Sequence, residues 1–147
     1  MATVSTHIGV RPPQVFAVLA NGWYYSGWVV GTSHMRAVED AWPAAGSRLF
    51  HSSGVWPAVL TDETVVEEVS PNERLVMTAR VRPFGQARVE LVLTVESDGT
   101  RVTLTETPIG GFASWAHNRV ADSVLHRRNV ESLDRLAAIS EGRTVPK

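Results

Sequence analysis

Between about Ser33 and Ile109 the chain runs almost wholly in steps of two, cut at intervals by tight-turn residues, and a long helical spacing appears only afterwards. That order limits the available folds more than any single motif does. In its clearest stretch Ala87, Val89, Leu91, Leu93 and Val95 alternate with Arg88, Glu90, Thr94 and Glu96, which gives one apolar and one charged face. Asp98-Gly99 reads as a two-residue hairpin turn, after which Arg101 to Thr107 returns antiparallel. Ser70-Pro71-Asn72-Glu73 is a second turn, with proline presetting its backbone angle, between strands predicted over 59–69 and 75–82. Pro83-Phe84-Gly85 turns the chain again, and two shorter strands are predicted over 34–39 and 48–53, joined through Trp42-Pro43 and Gly46.

Ahead of this run, Val4, Thr6, Ile8 and Val10 alternate with Thr3, Ser5, His7 and Gly9 as a first half-buried strand. Pro12-Pro13 stops it and suits a first helical turn, so Pro13 to Ala20 is predicted as a short helix burying Val15, Phe16 and Leu19. Trp23, Tyr24, Tyr25 and Trp28, interrupted by Gly27, form a second short helix. At the far end Pro108, Gly110 and Gly111 are expected to close the sheet. Ser114 would cap a helix of roughly 26 residues, some 39 Å, that Gly142 ends. The expected architecture is α+β: about seven antiparallel strands in a curved meander around one long C-terminal helix, with the short helices closing one end. With no repeat or linker, residues 1–147 read as one domain.

This order, with Pro13 to Leu19 after the first strand, Gly46-Ser47-Arg48-Leu49, and Asn129 through Leu136 in the last helix, resembles the START-like, helix-grip (SRPBCC) superfamily and its polyketide cyclase/dehydrase-like members. The resemblance spans nearly the whole chain. It implies a cavity between helix and sheet for a hydrophobic or amphipathic small molecule such as a lipid, polyketide or aromatic. It implies no particular reaction, because the same fold serves carriers, receptors and enzymes.

The net charge of −1 gives no general pull towards nucleic acid, and no basic stripe with interleaved aromatics offsets it. The absence of cysteine removes disulfides, thiol nucleophiles and cysteine metal sites together. No signal peptide and no membrane span are legible, so a cytoplasmic protein is expected. No cofactor is expected. No metal is expected either: His117 and His126 would lie on opposite faces of one helix, and no carboxylate spacing supports a site at His34 and His51. His51 beside Ser52 and Ser53 reads as a coincidence of composition.

Leu133, Leu136 and Ile139 set the buried face of the last helix, and the same face traced backwards meets Asn129, Leu125, Asp122, Asn118 and Trp115. Arg119, Arg127, Arg128, Glu131 and Arg135 are read as lying away from its centre. Asn118, Asp122 and Asn129 either line a pocket or bond backbone at the edge of the core. Glu106 shares strand parity with Val102 and Leu104, so its carboxylate points inward, either anchored by an arginine or desolvated as an acid or base. Tyr24, Tyr25 and Trp28 are the expected aromatic wall. Strand register, and with it which of Arg36, Arg48, His34 and His51 face the cavity, is not legible. Val120 and Val124 on the outer side would supply a homodimer contact.

Three readings follow. One is a small-molecule binder. Another is a polyketide cyclase/aromatase or dehydratase with Asp122, Glu106 or a tyrosine as acid–base group. The third is a protein-interaction module whose core is filled by side chains.

Overall fold

The computed structural model describes residues 2–53, 60–81, 85–110 and 119–142. Strand β1 (Ala2–Ile8) leads into helix α1 (Pro12–Ala20), a 3₁₀ turn (Gly22–Tyr24) and helix α2 (Tyr25–Trp28). Strands β2 (Thr32–Val38), β3 (Arg48–Ser53), β4 (Leu60–Ser70), β5 (Arg74–Val81), β6 (Gly85–Glu96) and β7 (Gly99–Gly110) follow, then helix α3 (Arg119–Glu141). The strands form one seven-stranded sheet in the order β1-β7-β6-β5-β4-β3-β2, every neighbouring pair antiparallel. This is the expected helix-grip layout. The short helices carry the chain from one sheet edge to the other, because β1 pairs with the last strand rather than the next one.

Local boundaries differ from the expectation where backbone geometry overrides the pattern. The hairpin loop after β6 is Ser97-Asp98, and Gly99 already belongs to β7, paired with Glu96. A Cβ on Gly99 would lie 2.1 Å from the Ile8 carbonyl oxygen, so the glycine serves close strand approach rather than the turn. Strand β7 also runs past Pro108 to Gly110. Among the described residues β1 pairing reaches only Ala2 opposite Glu106, so the missing N–H of Pro108 costs no described ladder bond on that side. The expected cap Ser114 lies outside the described residues.

Rows of inward side chains cross the sheet in register. Leu75, Leu91, Leu104 and Val4 make one row. Met77, Val89, Glu106 and Ala2 make the next, one step closer to the far end of the sheet. Helix α3 lies over these rows with Leu133, Leu136 and Ala137 buried. Glu141 at its C-terminus accepts from the Gly9 backbone N–H at 2.7 Å. The Glu141 end therefore sits over the tight turns at Ser70–Arg74 and Ser97-Asp98, and the Arg119 end lies towards Ser53, Leu60, Val81, Gly85 and Gly110. On the outer face Arg74 bridges Glu68 and Glu90 at 2.6 and 2.7 Å, an exposed pairing that contributes little stability.

Candidate functional site

Polar side chains gather inside the molecule towards the Arg119 end. Helix α2 is one turn long, and Tyr25 and Trp28, three residues apart, fall on the same side and are buried against each other, ring centres 5.8 Å apart and edge to face. Inward parity on β3 continues from Leu49 to His51, and on β4 from Val66 back to Thr64 and Asp62; all are buried. The Thr64 hydroxyl lies 3.0 Å from both the Tyr25 hydroxyl and His51 Nε2, and the Tyr25 and His51 rings stack at 5.3 Å. Burial pushes the Tyr25 pKa up to about 12, opposed by the Thr64 hydrogen bond and by Arg128 and reinforced by Glu106. Burial also holds the His51 pKa below its ordinary value, while Asp62 pulls it up and Arg36 pulls it down.

A second group faces this one from β7 and α3. Glu106 is 4% exposed and accepts a hydrogen bond from Arg128 Nη2. Burying a carboxylate without a cation is costly, so the pair settles the position of both side chains. Arg128 was expected away from the buried stripe. It sits on the flank of that stripe, and its long side chain reaches back over the helix to Glu106. Beside it Asn129, 3% exposed, has no partner for its Nδ2 group, and the Ser132 hydroxyl accepts from the Val30 backbone N–H at 3.1 Å.

Between the groups, the described residues enclose a space of about 30 Å³. Trp28, Val29, Met77, Val89 and Leu104 supply its apolar wall, and Tyr25, Glu106, Arg128, Asn129 and Ser132 its polar one. Two larger depressions are surface grooves. One, of about 820 Å³, runs beside Arg11, Pro13, Glu73 and Val95, and the other, of about 470 Å³, lies beside Trp23, Glu39 and Trp42. Neither holds a buried titratable group, so the smaller interior space is the candidate site.

Of the expected site residues, Tyr25, Trp28, Glu106 and Asn129 meet at this space. Leu125 is half-buried on the same helix face, and Asp122, nearer the N-terminus of α3, is exposed. Tyr24 is 47% exposed and is not among the lining residues. Trp115 and Asn118 lie outside the described residues. His34, Arg36 and Arg48 are exposed, and His34 pairs with Ser52 while Met35 stands opposite His51. Val124 is exposed on α3, and the side chain of Val120 lies outside the described residues. Sequence reasoning missed Thr64, Asp62 and Ser132 and set His51 aside. The available signal was strand parity: Asp62, Thr64 and Val66 share one face of β4, but choosing that face required the register of β3 on β4.

A family model described as polyketide cyclase / dehydrase and lipid transport matches residues 1–141. No curated protein is similar to the chain in sequence. Among solved structures, protein MLL2253 from Mesorhizobium loti is 18% identical with a TM-score of 0.71, over 97% of this chain and 98% of that one. The di-domain ARO/CYC StfQ from the steffimycin biosynthetic pathway is 11% identical with a TM-score of 0.71, over 95% of this chain and 50% of that one. DynU16, a putative protein in the dynemicin biosynthetic locus, is 16% identical with a TM-score of 0.71, over 99% of this chain and 49% of that one. This chain thus spans about half the length of the last two. At these identities the likeness is one of fold. No helix among the described residues is long and apolar enough to cross a membrane.

Proposed function

The chain belongs to the polyketide cyclase / dehydrase and lipid transport family, and from that premise we propose that it binds a hydrophobic or amphipathic small molecule between α3 and the sheet. The observation that carries the reading is Asn129. Its Nδ2 is buried without a partner on a wall shared with Trp28, Val89 and Leu104. A buried amide donor left unmade costs about 1–3 kcal/mol, and a ligand oxygen would recover it. Apolar walls with a few convergent polar groups are the usual make-up of small-molecule sites. A lipid, polyketide or aromatic molecule with one oxygen function matches that lining.

Such ligands need several hundred cubic ångströms, against the space of about 30 Å³ that the described residues enclose, room for a water or two. A bound ligand would extend beyond this space towards the Arg119 end of the sheet. The interaction-module reading, in which side chains fill the core, is separated from binding by measurement. A native mass spectrum of the freshly purified protein, followed by denaturing release, should give an adduct of a few hundred daltons. A bare mass, together with no shift of the Val89 and Leu104 methyl resonances on adding aromatic ketones, would overturn binding and favour the module.

A second reading, that the bound molecule is also converted by a cyclase or dehydratase type of reaction, is favoured by Tyr25. Tyr25 lines the space, and its hydroxyl is tied to Thr64 and through it to His51. Glu106 serves this reading less well, because its carboxylate is engaged by Arg128. Recovering the released molecule before and after incubation, and finding a changed mass or isomer, separates conversion from carriage.

A further inference from the structure

We propose that Thr64 ties the tautomer of His51 to the direction in which the Tyr25 hydroxyl donates. A histidine outside the cavity lining then sets whether Tyr25 offers a ligand a proton or a lone pair. This rests on the reading that a small molecule occupies the space between α3 and the sheet.

The argument is a count of protons. Tyr25, Thr64 and His51 are joined by two hydrogen bonds of 3.0 Å that meet on the one Thr64 oxygen. Each of the three groups carries one exchangeable proton while His51 is neutral. Its depressed pKa keeps it neutral near pH 7, with Asp62 from β4 and Arg36 from β2 acting on it in opposite directions. Two ordered arrangements fill both hydrogen bonds, and each leaves one proton without an acceptor. In the first, Tyr25 donates to Thr64, Thr64 donates to His51 Nε2, and the ring proton sits on Nδ1. In the second, Nε2–H donates to Thr64, Thr64 donates to the Tyr25 oxygen, and the Tyr25 proton is free to point into the space that Tyr25 lines.

His51 Nδ1 is buried without a hydrogen-bond partner in either case, carrying the spare proton in the first arrangement and only a lone pair in the second. The choice falls to the Tyr25 end. With no acceptor in the cavity, the second arrangement leaves two groups unmade, the phenolic proton and the Nδ1 lone pair, against one in the first, which is favoured. A ligand whose carbonyl or ether oxygen meets Tyr25 satisfies that proton and favours the second. Binding of an acceptor should therefore move the ring proton of His51 from Nδ1 to Nε2, though His51 does not line the cavity. Glu106 and Arg128, which also act on Tyr25, belong to the same wall and are already bonded to each other. His51 and Thr64 are thus positioning residues for Tyr25.

The test is ¹⁵N NMR of the full chain, with the His51 ring nitrogens assigned by their loss in His51→Gln. The probes are acetophenone and α-methylstyrene, which share a shape but differ in a carbonyl oxygen. Occupancy is read separately from the Val89 and Leu104 methyl groups. Without a probe, Nε2 should appear unprotonated; a protonated Nε2 would overturn the inference at once. Acetophenone should shift the methyls and bring Nε2 into the protonated range, whereas α-methylstyrene should shift the methyls only. Methyl shifts with acetophenone but an unchanged ring would end the inference and leave the binding reading standing. No methyl shift with either probe would end both. In Thr64→Val the ring response should vanish while the methyls still move, and Thr64→Ser should restore it. The wild-type comparison of the two probes needs no variant to fold.

Discussion

The two ends of this interior are built from the same strands and the same helix, yet they are filled by different rules. Under the C-terminal half of α3, Leu75, Leu91, Val102, Leu133 and Leu136 are buried to 1% exposure or less, over turns only a few residues long. One step along the sheet, the row that begins with Met77 and Val89 reaches Glu106, and beyond it lie Thr64, Asp62 and His51. Apolar groups of similar volume at those polar positions would be neutral or stabilising, because buried charge and unmade hydrogen bonds cost more than they return. On the proposed function, the turn end holds the fold and the polar end serves recognition. Proteins commonly give up stability where they bind.

The sharpest way to break that contrast is to cut into each end separately. Leu136→Ala should cost about 2–5 kcal/mol in denaturant unfolding, the range for truncating a fully buried leucine. Asn129→Leu, on the same helix face, should change stability by no more than about 1 kcal/mol, because it removes an unmade donor and adds apolar contact. It should also abolish ligand retention in the native mass spectrum. If Asn129→Leu destabilised as much as Leu136→Ala, the polar end would be ordinary core.

The Glu106–Arg128 pair should respond asymmetrically. Glu106 is nearly sealed whereas Arg128 keeps 30% of its side chain exposed. Arg128→Met leaves a buried carboxylate without its cation and should cost about 1–3 kcal/mol, discounted from a fully buried pair because the arginine is partly solvated. Glu106→Gln frees an arginine that can turn to water and should cost less, under about 1 kcal/mol. Equal costs in chemical denaturation would mean that the carboxylate is not sealed as described.

Which end was legible beforehand follows from the kind of signal each leaves. The turn end could be read because alternation along Ala87 to Val95 and the periodicity of Leu133 and Leu136 are local properties of the chain. Parity alone also places Glu106 inward, since it follows Val102 and Leu104. The polar end depends on register. His51 meets Thr64 only because β3 pairs with β4 so that His51 stands opposite Asp62 and Leu49 opposite Thr64, and no local pattern states that offset. Arg128 was misjudged for a related reason: periodicity places a Cα, not the end of a long side chain.

A smaller effect separates the ends by pH. The folded-state pKa of His51 lies below its ordinary value of about 6.5 in an unfolded chain, chiefly through burial. At pH 8 the ring is neutral in both states. As pH falls through about 6.5, the unfolded chain takes up a proton that the folded one refuses, so stability drops towards the folded-state pKa. His51→Gln keeps a polar group near Thr64 but does not titrate. The stability of the wild type relative to this variant should therefore shrink as pH is lowered from 8 to 5, measured by denaturant midpoints at each pH. A constant difference would show that His51 is solvated rather than sealed at the polar end.

The smallest expected effect comes from the two adjacent tyrosines. Tyr25 is 5% exposed and joined to Thr64, while Tyr24, one residue earlier, presents its ring to solvent. A one-residue step in a helical turn rotates a side chain by about 100°, enough to move it from the cavity wall to the surface. Tyr24→Ala should therefore change stability by less than about 0.5 kcal/mol, as surface substitutions do, and leave ligand retention intact. Tyr25→Phe keeps the ring and its stacking on His51 but removes the hydroxyl, and should reduce retention of an oxygen-bearing ligand more than that of its hydrocarbon analogue. If Tyr24→Ala weakened retention as strongly as Tyr25→Phe, the ligand would enter past the exposed ring. Recognition would then extend beyond the polar end to the surface beside α2.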